Sequence, residues 1–329
     1  MVRVGLLGSG FMGETHASAY RNMTDVELVG VYTRNAEKGR EFAGRFGTSF
    51  FPDAQTLYAQ VDVVDICLPT YLHEQYCVEA ARAGKHILCE KPIALTRDSL
   101  DRIDAAVQET GVIFMAAQVL RFWPEYQELK RQVQSGQIGE VLEISMQRLA
   151  QAPSWSAWFK DPEKSGGALF DLHIHDLDMA RHLLGPIATV YAVGVNQAGA
   201  WNHVVTTLTA QSGAKAVCEG SFLLPSGYPF TMSARLLGTS AAAEFVLKAG
   251  VNLENRSEAK NELMVYHNGP ELWTSTGADA YEQEIRYFIS CVVKGESASI
   301  VPFSEVVDVL DIVLAAKRSL ETGQVVHLS

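Results

Sequence analysis

The sequence predicts an α/β protein: a doubly wound parallel sheet over residues 1–121, then an α+β domain with an antiparallel sheet over 122–329. Three observations carry that expectation. Short β-branched runs alternate with longer stretches of helical spacing through the first 120 residues, the rhythm of right-handed strand-helix-strand crossovers. A G-x-G-x-x-G motif joins the first strand-like run to the first helical one. After Arg121 the texture changes to successive strand-like runs joined by tight turns, which antiparallel pairing requires.

In chain order, Val2 to Leu7, Val26 to Tyr32, Val61 to Leu68, His86 to Cys89 and Val112 to Ala116 read as buried strands, with a weaker one at Ser49 to Phe51. Asn35 and Asp53 are placed to N-cap two intervening helices, and Thr96 stands ahead of a third amphipathic run. Gly84 and Gly111 are placed to end helices in the left-handed conformation that glycine adopts without cost. Past Arg121, a helix over Pro124 to Ser135 leads to a strand over Val141 to Ala150. Strand-like runs resume at Val190, with Ser212-Gly213 as a hairpin turn between His203 to Gln211 and Ala214 to Phe222. Helical patterns over Asp279 to Lys294 and Ser304 to Thr322 close the chain.

Composition narrows the function classes. A chain of 329 residues holds about two domains of ordinary size. It buries roughly 75% of its unfolded surface, so disulfides or metals are not needed for stability. With 27 basic and 38 acidic residues the net charge is −11, which argues against binding to nucleic acid or to an anionic membrane surface. Five widely spaced cysteines without a C-x-x-C pair read as buried reduced thiols. With no signal-peptide pattern and no apolar run of membrane-spanning length, a cytoplasmic protein is expected.

In Gly8-Ser9-Gly10-Phe11-Met12-Gly13, the strand before and the helix after give the glycines a job. Gly8 permits the tight turn, Gly10 lets the backbone approach a pyrophosphate, and Gly13 lets the helix pack on the sheet. The helix N-terminus offers free N–H groups and a positive dipole end to phosphate. A dinucleotide site of Rossmann type is therefore expected. An acidic residue about 20 positions on holds the ribose of NAD in such folds. Here Thr33-Arg34 stands in that place, a hydroxyl and a guanidinium suited to a 2′-phosphate. That favours NADP(H) over NAD(H), although Arg34 stacking on adenine serves either cofactor.

Two further clusters stand out. Glu90-Lys91-Pro92 follows the fifth strand, at the sheet edge where ligands bind in this architecture. Helical spacing from Gly167 places Asp171, His175, Asp178 and His182 on one face of a single helix. That face lacks the Glu and Lys of a solvated surface, which points to a cleft. A zinc site is the rival, but His173 and His175 fall on opposite sides of a helix and no Cys or Glu joins them at ligand spacing, so no metal is expected.

Taken together, the glycine motif, Pro69-Thr70-Tyr71-Leu72-His73, Glu90-Lys91-Pro92, Arg121-Phe122 and Gly166-Gly167…Asp171…His175-x-x-Asp178 resemble the Gfo/Idh/MocA family of glucose-fructose oxidoreductase, inositol dehydrogenase and rhizopine-catabolism proteins. The resemblance covers essentially the whole chain. It implies an NAD(P)-binding Rossmann domain and a substrate-binding and oligomerisation domain with a large open sheet. Its substrate would be a sugar, cyclitol or related polyol, and the assembly a homodimer or homotetramer through that sheet. Carried over by position, Lys91 and His175 meet the reacting carbinol with Asp171 as helper. Asp178 binds substrate; apart from the resemblance, the aromatic faces of Trp158 and His173 suit a sugar pocket. Leu68, Pro69, Thr70, His73, Glu90, Lys91 and Arg121 join Gly8 to Gly13 and Thr33-Arg34 along the cofactor. Thr70 departs from the Asn usual in the turn, and His173 from the Gly usual at its position. Trp155, Phe159 and Tyr281 are further aromatic candidates for a sugar pocket.

The implied chemistry is hydride transfer between nicotinamide and a CH–OH carbon, with His175 as the base because an unperturbed imidazole titrates near pH 6.5. Lys91 polarises the oxygen, and Lys91 as base is the alternative. Two rival classes share the fold: a non-catalytic nucleotide-sensing regulator, and a glycosidase that uses NAD transiently.

Overall fold

A computed structural model describes residues 1–153, 157–250, 260–275, 277 and 279–328. The first strands and helices are β1 (Val2–Leu7), α1 (Phe11–Arg21), β2 (Val26–Tyr32), α2 (Ala36–Phe46), β3 (Ser49–Phe51) and α3 (Ala54–Tyr58). They continue through β4 (Val63–Ile66), α4 (His73–Arg82), β5 (His86–Glu90), α5 (Arg97–Thr110) and β6 (Phe114–Ala117). The six strands form one parallel sheet in the order β3-β2-β1-β4-β5-β6, the doubly wound arrangement with its reversal beside β1. Helices cover both faces, so β4 is buried at every position.

Local chemistry sets the helix ends. Asn35 Oδ1 accepts the Lys38 N–H at 3.1 Å, Asp53 Oδ1 that of Thr56 at 2.8 Å, and Thr96 Oγ1 that of Ser99 at 3.3 Å. Gly111 closes α5 at φ +68°. Two strands are shorter than their apolar runs: β4 covers 63–66 of 61–68, and β6 starts at Phe114 rather than Val112.

The second half contains α6 (Pro124–Gln134), β7 (Val141–Leu149), α7 (Pro162–Ser165), α8 (Gly167–Asp171), α9 (Ile174–Leu184), β8 (Ile187–Gln197) and β9 (Ala200–Ala210). It goes on with β10 (Lys215–Ser221), β11 (Thr231–Gly238), β12 (Ala242–Lys248), β13 (Lys260–Tyr266) and β14 (Pro270–Trp273), then α10 (Ala280–Lys294), α11 (Phe303–Thr322) and β15 (Val326–His327). Nine strands form one sheet in the order β14-β13-β12-β11-β7-β10-β9-β8-β15. Every pairing is antiparallel except β7 with β10. α9 packs over β7 and β10, burying Ile144, Met146, Ala216 and Cys218. Alternation along β8 leaves Tyr191, Val193 and Val195 exposed on one face, and the register sets Val217 in the same cross-strand row as Tyr191.

The chain divides into two compact units, Met1–Phe122 with Ala278–Val306, and Trp123–Gly277 with Val307–Ser329. An uninterrupted second domain over 122–329 was the sequence expectation; instead α10 and the start of α11 return to the parallel-sheet unit. The reason is the buried face of α10, where Tyr281, Ile285, Phe288 and Ile289 lie. α10 packs beside α1, where Arg286 Nη2 donates to the Asn22 carbonyl at 2.9 Å. Ring pairs Phe122–Tyr287 and Phe114–Phe303, with centroids 5.5 and 5.1 Å apart, extend the contact.

Candidate functional site

Each glycine of the motif has a separate steric reason. Gly8 has φ +113°, and a Cβ there would stand 2.4 Å from the Cys67 carbonyl oxygen. A Cβ on Gly13 would stand 2.3 Å from the Gly8 carbonyl oxygen, so the helix can approach the turn only without one. Gly10, the N-cap of α1, is exposed, faces open space and is not capped by its own side chain. Ser9 and Phe11 flank it at partial exposure or more. An uncapped helix start with room for a ligand backbone fits a pyrophosphate. Thr33 and Arg34 follow β2 at the same sheet edge, and Arg34 Nη2 donates to the Tyr71 hydroxyl at 2.9 Å.

Leu68, Pro69 and Thr70 form the turn after β4, and Glu90-Lys91-Pro92 the turn after β5. His73 ties the two together: Nε2 lies 2.7 Å from the Leu68 carbonyl and Nδ1 2.9 Å from that of Pro92. Burial lowers the His73 pKa more than the two carbonyls raise it. Glu90 turns its carboxylate inward. Its Oε2 accepts the Lys91 N–H at 3.1 Å, and its Oε1 lies 3.2 Å from His16 Nε2. Arg121, placed by the sequence along the cofactor, is buried; Nη1 donates to the Ile300 carbonyl at 2.8 Å and pairs with Glu305 at 2.6 Å. Both contacts tie Arg121 to the returning segment.

In the second unit the sequence expectation needs correction. Asp171 and His175 do not share one continuous helix. α8 ends at Asp171, Leu172 and His173 form a turn, and α9 starts at Ile174. At the break both the Leu172 and His173 N–H groups donate to the Ala168 carbonyl, at 3.0 and 2.8 Å. The cause is the His173 side chain, which has no solvent exposure and places Nε2 2.8 Å from Thr206 Oγ1 on β9. Gly220 on β10 makes the room, since a Cβ there would stand 2.7 Å from His173 Nδ1. Burial and the nearby Arg148 push His173 down to about 3, so it is a neutral core residue and not a pocket-lining one.

His175 and Asp178, three residues apart, do share a face of α9; His175 is half-buried and Asp178 buried, while Asp171 at the end of α8 is half-buried. Asp176, which interrupts the apolar side of the same helix, makes a two-pronged ion pair with Arg148 at 3.1 Å on both contacts. The His182 carbonyl accepts from Lys130 Nζ. Trp158 stacks on Phe159 with centroids 4.0 Å apart, Trp155 lies outside the described residues, and Tyr281 is buried in the first unit beside His16.

His16, Asp65 and Cys67 are one group of potential metal donors among the described residues. His16 Nδ1 and Asp65 Oδ2 are 2.8 Å apart. That is a hydrogen bond, shorter than the roughly 3.3 Å between two ligands on a tetrahedral ion. The cluster was missed in the sequence, yet a signal existed: Asp65 is the one charged residue in the otherwise apolar strand Val63-Val64-Asp65-Ile66, and a buried charge needs a partner.

Comparison with known proteins agrees with this geometry. Residues 2–118 match the family model described as an oxidoreductase family with an NAD-binding Rossmann fold, and residues 126–244 match the GFO/IDH/MocA C-terminal domain. Inositol 2-dehydrogenase of Rhizobium meliloti is 30% identical over 308 residues, covering 89% of each chain. Myo-inositol 2-dehydrogenase of Thermotoga maritima is 28% identical, covering 99% of this chain and 98% of that one. A levoglucosan dehydrogenase solved with NADH and levoglucosan superposes with TM-score 0.84 at 26% identity, over 99% of both chains. The chain belongs to the Gfo/Idh/MocA family of oxidoreductases. It is an oxidoreductase with an NAD(P)-binding Rossmann domain.

Proposed function

We propose that this enzyme interconverts the CH–OH and C=O forms of an inositol-like cyclitol or a sugar, with NADP(H) favoured over NAD(H). Lys91 carries the reading: it stands at the carboxyl end of β5, on a turn held by Glu90 and by His73. That is the edge at which doubly wound sheets bind ligands. When bound, the nicotinamide supplies the hydride acceptor or donor. Gly8 to Gly13, with Ser9, Phe11 and Met12, hold the pyrophosphate, while Thr33 and Arg34 meet the 2′-phosphate of the adenosine. Leu68, Pro69, Thr70 and His73 shape the wall. Lys91 donates to the carbinol oxygen, His175 takes the hydroxyl proton, Asp171 orients that exchange and Asp178 binds a second hydroxyl, with Trp158 against a C–H face of the ring.

The test is absorbance at the reduced-nicotinamide band with NAD+ and NADP+ over inositols, levoglucosan, aldoses and keto-sugars. Turnover on one of these is expected, and His175→Ala loses about 10² to 10⁴ in kcat. Near-normal kcat in that variant with the cofactor still bound overturns the base assignment. An NAD+ preference overturns the role given to Arg34.

We further infer a homodimer or homotetramer through the face bearing Tyr191, Val193 and Val195, an exposed apolar row that Val217 extends. Val193→Glu should lower the mass seen in sedimentation. Five free thiols fit the reducing cytoplasm. Among the described residues no helix is long and apolar enough to cross a membrane.

A further inference from the structure

Beneath the Glu90-Lys91-Pro92 turn lies a charged cluster that the proposed reaction does not use. His16 on α1 and Asp65 on β4 have no exposed surface. Asp65 is surrounded by donors: His16 Nδ1 and the Tyr20 hydroxyl each lie 2.8 Å from Oδ2, and the Cys67 thiol 3.5 Å from Oδ1. With Nδ1 against Asp65, His16 Nε2 lies 3.2 Å from Glu90 Oε1, within ion-pair distance but without hydrogen-bond alignment.

We propose that His16 is a positioning residue for Lys91: bridging Asp65 and Glu90, it fixes the Glu90 carboxylate under the turn and thereby the direction in which Lys91 leaves it. Glu90 is buried, and a buried carboxylate that loses its counter-charge swings out toward solvent. That movement releases the Lys91 N–H that Glu90 Oε2 accepts. Burial is the largest single influence and pulls the His16 pKa down, but the charge and hydrogen bond of Asp65 together with the neighbouring Cys67 raise it well above the ordinary histidine value. Cys67 stays a thiol because burial pushes its pKa up. The other titratable groups around the ring are Tyr20 on α1 and, from α10, Tyr281 and Glu284. The inference rests on the reading of Lys91 as the residue that meets substrate.

The test uses the intact protein. In 15N-histidine NMR one ring is expected to keep both nitrogens protonated at about pH 8, and to lose that signature in Asp65→Asn. Hydrogen exchange read by mass spectrometry on the peptide carrying Lys91 should accelerate by about tenfold in His16→Phe and in Glu90→Gln, with no further gain in the double variant. On whichever panel substrate turns over, His16→Phe should lower kcat by about 10²-fold with the NADP+ dissociation constant nearly unchanged. Where His16→Phe fails to fold, His16→Gln serves for the same exchange measurement. No histidine charged at that pH, unchanged exchange, or multiplying effects of His16→Phe and Glu90→Gln would each overturn the proposal. Lys91→Met keeps the two readings apart: normal turnover there removes Lys91 from the chemistry while the exchange coupling of His16 and Glu90 stands.

Discussion

His16 in the parallel-sheet unit and His173 in the second unit are both shut off from solvent, yet their surroundings drive them in opposite directions. Burial alone disfavours the imidazolium in each. His16 has the Asp65 carboxylate 2.8 Å away and titrates well above the ordinary value. His173 has Arg148 in electrostatic reach, shares a hydrogen bond with the neutral Thr206 hydroxyl and falls to about 3. The sign of the nearest charge, more than the depth of burial, decides which buried histidine carries a proton. One is thereby suited to hold a carboxylate, and the other to fill a core and break a helix.

Breaking the Arg148–Asp176 pair should have the largest effect on this contrast. Arg148→Met leaves a buried carboxylate alone and should cost about 3–5 kcal/mol in urea unfolding. The His173 midpoint should rise at the same time, because one of the three influences holding it down, burial, Arg148 and His203, is gone. Next comes the pH dependence of stability. A folded value of about 3 lies below that of the unfolded chain, so the His173 contribution is full above about pH 6.5 and is lost as pH falls toward 3. His173→Asn should therefore flatten the acid limb by up to about 1.4 kcal/mol per pH unit. For His16 the sign reverses: its contribution is full below about pH 6.5 and is lost as pH rises through the raised folded value, so His16→Phe should flatten the alkaline side instead. The smallest effect is Tyr20→Phe, which removes one donor from Asp65 and should cost about 1 kcal/mol in the same assay.

The first unit was readable because its elements are decided locally. β-branched runs made the strands, Asn35, Asp53 and Thr96 capped their helices, and the glycine motif stood between strand and helix as its steric logic requires. The broken helix was not readable, since the spacing of Asp171, His175 and Asp178 is as regular as in a continuous one. The interruption depends on Thr206, 33 residues away, and on the space above Gly220. Amphipathic spacing likewise announced α10 but not its partner, because a periodic apolar stripe says that a helix packs without saying against what. The pairing of Arg121 with Glu305, far along the chain, is also beyond what local spacing announces.

That return of α10 also fixes an order of events during synthesis. Residues 1–122 leave the ribosome first, but Tyr287 and Phe303, which cover Phe122 and Phe114, come out only after the whole stretch 123–277. The nucleotide-binding unit therefore waits, incomplete and with apolar surface uncovered, while the sheet unit is being made. A nascent chain stalled far enough past Phe122 for residues 1–122 to clear the ribosome should show this as binding of a hydrophobic dye, lost once the final helices have been translated.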